Sequence, residues 1–286
     1  MNSAILTGIA FALYLSAAVC YGASLFLDAP AAPQSIGTGT SSNRPLLYAV
    51  RFLAAGILSQ FLAVGANCAH THHSPFASVY GTLMVAAWAI AIVYLAWDRR
   101  AKMPAVGAVA MLTDCIILGF ADSQAHSRIA RDPVLSHPVV SLHVLAIIGA
   151  YGLILVASGC AVMYLIENRM LKKHSRNSIL RKFPPLTSLD SIAYQCIAYA
   201  TPLLTIGLGV AISLIFAGGV KGSPREWFLG AQFISTAILL TLFTLYLAAR
   251  LAVGWRGVRL QYILLIGILC AFAAFALPTA AAHHFN

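Results

Sequence analysis

Residues 138–166 read PVVSLHVLAIIGAYGLILVASGCAVMYLI, a stretch without one aspartate, glutamate, lysine or arginine. A helix rises about 1.5 Å per residue, so about 20 apolar residues cross the ~30 Å hydrocarbon core of a bilayer. The stretch is long enough to do so and shows none of the alternation of a barrel strand. In lipid its backbone must satisfy itself, which only a helix does within one segment.

Further charge-free runs cover Phe52 to Trp97, Ser191 to Val220, and Leu260 to the end. The whole chain of 286 residues is 60% apolar and 9% charged, against roughly 25% charged in soluble domains. Too few polar groups exist to cover a water-soluble enzyme. The sequence predicts an all-α, polytopic membrane helix bundle. About eight transmembrane helices are expected, at 3–26, 45–67, 75–97, 103–121, 138–166, 190–217, 226–248 and 257–279, forming one transmembrane domain over 1–286. The apolar start lacks a basic leader region and reads as a retained first span, not a signal peptide.

The net charge of +10 comes from 18 basic and 8 acidic residues. Fourteen of the basic residues fall in or beside loops 1, 3, 5 and 7, and only Arg128, Arg131, Lys221 and Arg225 in the opposite loops. The positive-inside rule then places the odd loops in the cytoplasm and both termini on the outer face. Topology accounts for the charge, and a nucleic-acid partner is not expected. Loop 5, Glu167 to Leu189, is the largest basic segment and is suited to anionic lipid. Trp88, Trp97, Trp227 and Trp255 read as interfacial anchors. The six cysteines are scattered without a C-x-x-C pair, which leaves thiol redox chemistry and thiolate zinc without support. No phosphate loop, nucleophile–base pair or paired carboxylates are present, so no catalytic residue is assigned and no enzymatic activity is expected.

On this topology eight of the nine histidines fall on the outer side, and only His174 falls inside. His70, His72 and His73 precede span 3, His137 and His143 lead into span 5, and His283 and His284 follow span 8. Histidine is the commonest side-chain metal ligand. Copper or zinc fits such a set, and so does haem iron, which needs one or two axial ligands in an apolar pocket. Arg128 and Arg131 on the same side are candidates to pair with haem propionates. Asp114, an acid inside span 4, is a further functional candidate. Together with Arg51 it leaves a small-molecule permease as one more option, against which stands the lack of any internal repeat.

Several motifs then form an ordered series. Pro184-Pro185-Leu186 is followed by Leu189-Asp190, by Tyr194, and by Pro202-Leu203-Leu204-Thr205 with Gly207. Gly254-Trp255-Arg256-Gly257 follows span 7. Leu142-His143-Val144 precedes Tyr151, and His73-Ser74-Pro75 precedes Ser78 and Tyr80. In this order and spacing, over about residues 45–284, the chain resembles the cytochrome c assembly protein family, the CcsA/ResC-type haem-handling membrane proteins and their HemX-like and YpjD-like relatives.

The resemblance implies a non-enzymatic inner (plasma) membrane protein of cytochrome c biogenesis that handles haem at the outer face. By it, His143 matches an external haem ligand, His73 a histidine at the membrane surface, and His283 or His284 the second external ligand. Its partners would be haem, other cytochrome c maturation proteins and membrane lipid. Two departures draw it toward the short HemX-like and YpjD-like branch. The segment Gly218 to Trp227 is short where the haem-delivery members carry a tryptophan-rich motif, and Ala248 stands where they have a second membrane histidine. The alternative is therefore a regulatory or scaffold protein of tetrapyrrole metabolism without its own haem site, working through loop 5.

Overall fold

The computed structural model describes residues 3–27, 44–98, 103–124, 138–173, 184–217 and 223–276. Every regular element among them is helical: α1 Ser3–Leu27, α2 Arg44–Thr71, α3 Val79–Asp98, α4 Pro104–Ser123, α5 Pro138–Lys172, α6 Leu186–Phe216, α7 Pro224–Phe228, α8 Ala231–Ala252 and α9 Val258–Ala276, with a 3₁₀ turn at Pro75–Ala77. Seven of these helices, α1 to α6 and α8, are long and apolar enough to cross a membrane. The eighth expected span corresponds to α9, 19 residues long, in which Val258–Cys270 is an apolar stretch. The expected span 226–248 begins later, because Ser223 caps the separate short helix α7 by accepting from the Glu226 N–H at 3.4 Å.

The chain divides by its contacts into two compact units. The first holds α1 to α4. Along α1, Thr7, Tyr14 and Tyr21 recur every seventh residue, so they share one face, and all three are buried. Each hydroxyl meets another helix of the unit: Thr7 and Tyr80 are 3.0 Å apart, Tyr14 donates to Gln60 Oε1 at 2.5 Å, and Tyr21 donates to Asp98 at 3.4 Å. Gln60 in turn donates to the Met84 carbonyl at 2.8 Å, and Tyr94 donates to Asp98 at 2.9 Å. These bonds tie α1 to α2 and α3 where apolar packing alone would leave the register loose, since lipid is as apolar as the side chains. Trp88 departs from the expected anchoring role. It lies in mid-helix, stacks on Phe61 at 5.7 Å between ring centroids, and donates to the Ile57 carbonyl at 3.1 Å.

The second unit holds α5 to α9 together with the short segment His73–Ser78. Its most extensive packing is between α5 and α6. Both helices bury small residues: Ala146, Ala150, Ala157 and Ala161 on α5, and Ala193, Cys196 and Ala200 on α6. Small side chains let helix backbones approach closely in lipid. Pro202 lies inside α6, where it cannot donate the backbone bond that a helix interior requires. The α8–α9 turn uses Gly254 and Gly257 at φ +72° and +87°, a left-handed conformation that glycine adopts without strain.

Candidate functional site

The α5–α6 contact holds one of the predicted ligands. A Cβ added to Gly207 would stand 2.5 Å from Ile147 Cδ1 and 2.8 Å from Cγ1. Any larger residue at 207 would have to displace the Ile147 side chain. Ile147 lies one helical turn after His143, so the same face of α5 brings the imidazole onto α6. His143 Nδ1 sits 2.7 Å from the Gly207 carbonyl oxygen, with the ring half-buried.

That bond fixes the chemistry of the ring. A carbonyl oxygen only accepts, so Nδ1 must carry the proton. In the neutral imidazole the lone pair then lies on Nε2. Metal-bound histidines commonly have this arrangement, with the second ring nitrogen donating to a carbonyl or carboxylate that sets tautomer and orientation. The ring would thus be able to ligate a metal through Nε2. Among the described residues no group of three histidine, cysteine, aspartate or glutamate side chains converges as a metal site.

The same end of the second unit is aromatic. Phe216 at the end of α6, Phe228 of α7 and Phe233 of α8 form a chain, with ring centroids 5.9 Å and 4.9 Å apart. An open apolar cleft of about 370 Å³ lies beside it, lined by Phe228, Phe233, Ile234, Ile238 and Leu242 among others. Its volume is within the range of small-molecule sites.

His73 is exposed and belongs to the second unit, as His143 does. It follows directly on His72, which ends α2 in the left-handed region at φ +56° with its N–H donated to the Cys68 carbonyl at 2.9 Å. Ser74 then caps the Pro75–Ala77 turn, accepting from the Phe76 N–H at 3.4 Å. Arg128, Arg131, His283 and His284 lie outside the described residues. Asp114 is in the first unit and fully buried, and neither of its carboxyl oxygens has a hydrogen-bond partner among the described residues.

A second polar centre at the Leu186 end of α6 was only half visible in the sequence. Asp190 pairs with Arg250 of α8 at 2.8 Å and accepts from Gln261 Nε2 of α9 at 2.9 Å. The Arg250 guanidinium stacks over the Tyr194 ring, 4.5 Å from its centroid. Asp190 and Tyr194 were motif residues, whereas Arg250 and Gln261 were read only as a topological charge and as span content. A usable signal existed. An acid at the edge of a span needs a partner, and alternating spans bring the start of α6 and the end of α8 to one side.

The profile of the family described as cytochrome C assembly protein matches residues 76–277. The chain is 22% identical over 235 residues to the cytochrome c biogenesis protein CcsA of Guillardia theta, covering 75% of this chain and 76% of that one. It is 25% identical over 241 residues to the protein of the same name from Trieres chinensis, covering 72% and 74%. With that of Chlamydomonas reinhardtii it shares 25% over 206 residues, covering 69% and 56%. The matched region takes in His143, Gly207, Asp190 and Arg250, and the chain belongs to the cytochrome c assembly protein family.

Proposed function

We propose that this protein works in cytochrome c biogenesis as a multi-pass membrane protein that handles haem through histidine ligands and catalyses no reaction of its own. The observation that carries this reading is the bond from His143 Nδ1 to the Gly207 carbonyl, which leaves Nε2 free on a positioned ring. Family membership and the biogenesis role in the relatives' names support it. His143 and either His283 or His284 would hold the haem as external ligands, with His73 as a deeper or supporting ligand. Haem, when bound, supplies an iron that must be held in one oxidation state until a partner attaches the group. The chain's own part is to orient the imidazole and shield the ring with apolar side chains. The one-sided distribution of lysine and arginine supports an orientation in which all the histidines but His174 face outward, on the side that also carries Arg128 and Arg131, the candidates to pair with haem propionates.

The test is optical. Purified protein supplied with haem shows a Soret band, and His143→Ala weakens it. A flat spectrum under full haem supply overturns the haem reading. A second reading, a regulatory or scaffold protein without its own haem site, is favoured by the five-residue α7 standing in the segment where haem-delivery members are richer in tryptophan. Deleting residues 170–182 would then abolish the partner interaction while the histidine variants stay functional.

A further inference from the structure

The Gly254-Trp255-Arg256-Gly257 motif forms the α8–α9 turn, and the second unit grips that turn on both flanks. The Trp255 N–H donates to the Ala249 carbonyl at 3.1 Å and closes the end of α8. Asp190 of α6 holds Arg250, just before the motif, and Gln261, just after it. Gly257 lies against α5, where an added Cβ would stand 3.3 Å from the Tyr164 hydroxyl. The backbone of the turn is thereby fixed, while its larger side chains stay outside the packing. Trp255, Arg256 and Arg259 are exposed, and so are Leu251 and Val253 before them. The Arg259 guanidinium lies over the Trp255 ring, 5.9 Å from its centroid.

The end of α5 adds to the same surface. Helices α5 and α6 run antiparallel, since His143 near the start of one meets Gly207 near the end of the other. Tyr164 brings the last turns of α5 beside the motif, and Arg169, Lys172 and Lys173 are exposed there. The acids at this end are withdrawn from solvent: Glu167 and Asp190 are 7% and 8% exposed, and Asp190 is already paired with Arg250. Among the described residues the unit's remaining acid is Glu226 on α7, whose Phe228 packs on Phe216 at the far end of α6. Exposed cations without exposed acids attract an anion, and the setting indicates which one. Leu251, Val253 and Trp255 continue the apolar surface of α8, a helix suited to crossing a membrane. Tryptophan settles at the level of lipid headgroups, guanidinium groups bind phosphate by paired hydrogen bonds, and clustered lysines and arginines beside a membrane helix draw in anionic lipid. We propose that the α8–α9 turn and the end of α5 form a binding site for an anionic phospholipid, with Arg256 and Arg259 on its headgroup and Trp255 beside its glycerol. The lipid contact expected of loop 5 thus gains a second, rigid half.

The test reads lipid at Trp255 itself, in the full chain reconstituted in phosphatidylcholine nanodiscs. The emission lost in Trp255→Phe gives the share of fluorescence due to this residue. Phosphatidylglycerol and phosphatidylcholine, each brominated near the glycerol end of its acyl chains, are then added in turn as quenchers. Phosphatidylglycerol should quench the Trp255 share at a clearly lower mole fraction. Arg256→Gln and Arg259→Gln, both at exposed positions, should each lower that preference about fivefold, and raised salt should lower it further. Equal quenching by the two lipids overturns the proposal. So does a preference that survives the double variant. Absence of quenching by either lipid also overturns it, because the turn then stands clear of the bilayer and its arginines are left for a protein partner.

Discussion

His143 on α5 donates from Nδ1 to the carbonyl of Gly207 on α6 across 2.7 Å, although the two residues are 64 positions apart in the chain. Gly207 contributes twice to this relationship. Its carbonyl fixes the tautomer, and its missing side chain admits Ile147, which sits one turn along from the histidine. The ring is therefore placed by the packing of two membrane helices, and its reactive nitrogen is set by a backbone atom that no side-chain substitution removes.

His143→Ala should abolish most haem-dependent Soret absorbance, and millimolar imidazole should restore part of it by occupying the vacated ligand position. His70→Ala serves as the comparison. That side chain is exposed near the end of α2, and its removal should leave the band unchanged. Visible spectra of the two variants, with and without imidazole, check both outcomes.

Gly207→Ala places a methyl group where Ile147 now stands. Overpacking of this kind costs about 1–3 kcal/mol, and it pushes α5 away from the carbonyl that holds His143. Both thermal stability and haem affinity should fall. The pair Gly207→Ala with Ile147→Ala makes room again and should recover much of both. Denaturation midpoints and haem titrations of the single and double variants measure this.

The fold was legible because membrane helices announce themselves by composition. Phe52 to Trp97 and Pro133 to Ile166 carry no lysine, arginine, aspartate or glutamate, and within lipid the backbone of such runs satisfies itself as helix. The helix ends were less legible. The turn at Leu229–Gly230 that separates α7 from α8 rests on local backbone bonds, from the Leu229 N–H to the Arg225 carbonyl and from the Gly230 N–H to the Trp227 carbonyl, which hydropathy does not register. His143 could be singled out from its motif, but its bond to Gly207 could not, because it depends on which faces of α5 and α6 meet. Arg250 was counted for topology, and the same charge count that orients the chain conceals that this arginine is largely buried against Asp190. Asp114 stands out in the sequence as an acid within an apolar run, while its lack of any partner among the described residues is a three-dimensional fact.

Asp190→Leu leaves Arg250 in a site where each side chain of the pair is only 12% exposed. Removing one partner of a buried ion pair costs about 3–5 kcal/mol, because the remaining charge stays uncompensated. Asp190→Leu with Arg250→Met removes both charges and should be markedly less damaging than either single change. Unfolding midpoints in the same detergent should follow that order.

His72→Gly should stabilise the chain by about 1 kcal/mol. The residue ends α2 at φ +56°, where a Cβ is strained and glycine is the common solution. The side chain is exposed, so little packing is lost. A higher Tm with an unchanged Soret band is expected, and a weakened band would instead make His72 a haem ligand.

Asp114→Leu tests the buried acid of α4. The carboxyl is fully buried, with neither oxygen hydrogen-bonded among the described residues. Tyr14 and Cys115 lie close enough to feel its charge, yet the Tyr14 hydroxyl is committed to Gln60 and Cys115 Sγ faces the Phe11 carbonyl at 3.9 Å. Leaving a polar group buried and unpaired costs about 1–3 kcal/mol. Leucine has a similar branched outline, is larger, and makes no such demand. The variant should therefore unfold at a higher temperature, and haem binding through His143, which belongs to the other unit, should be retained. If the variant is more stable but cytochrome c assembly in cells is lost, the strain at Asp114 is kept for function, and the carboxyl acts in a step other than haem ligation.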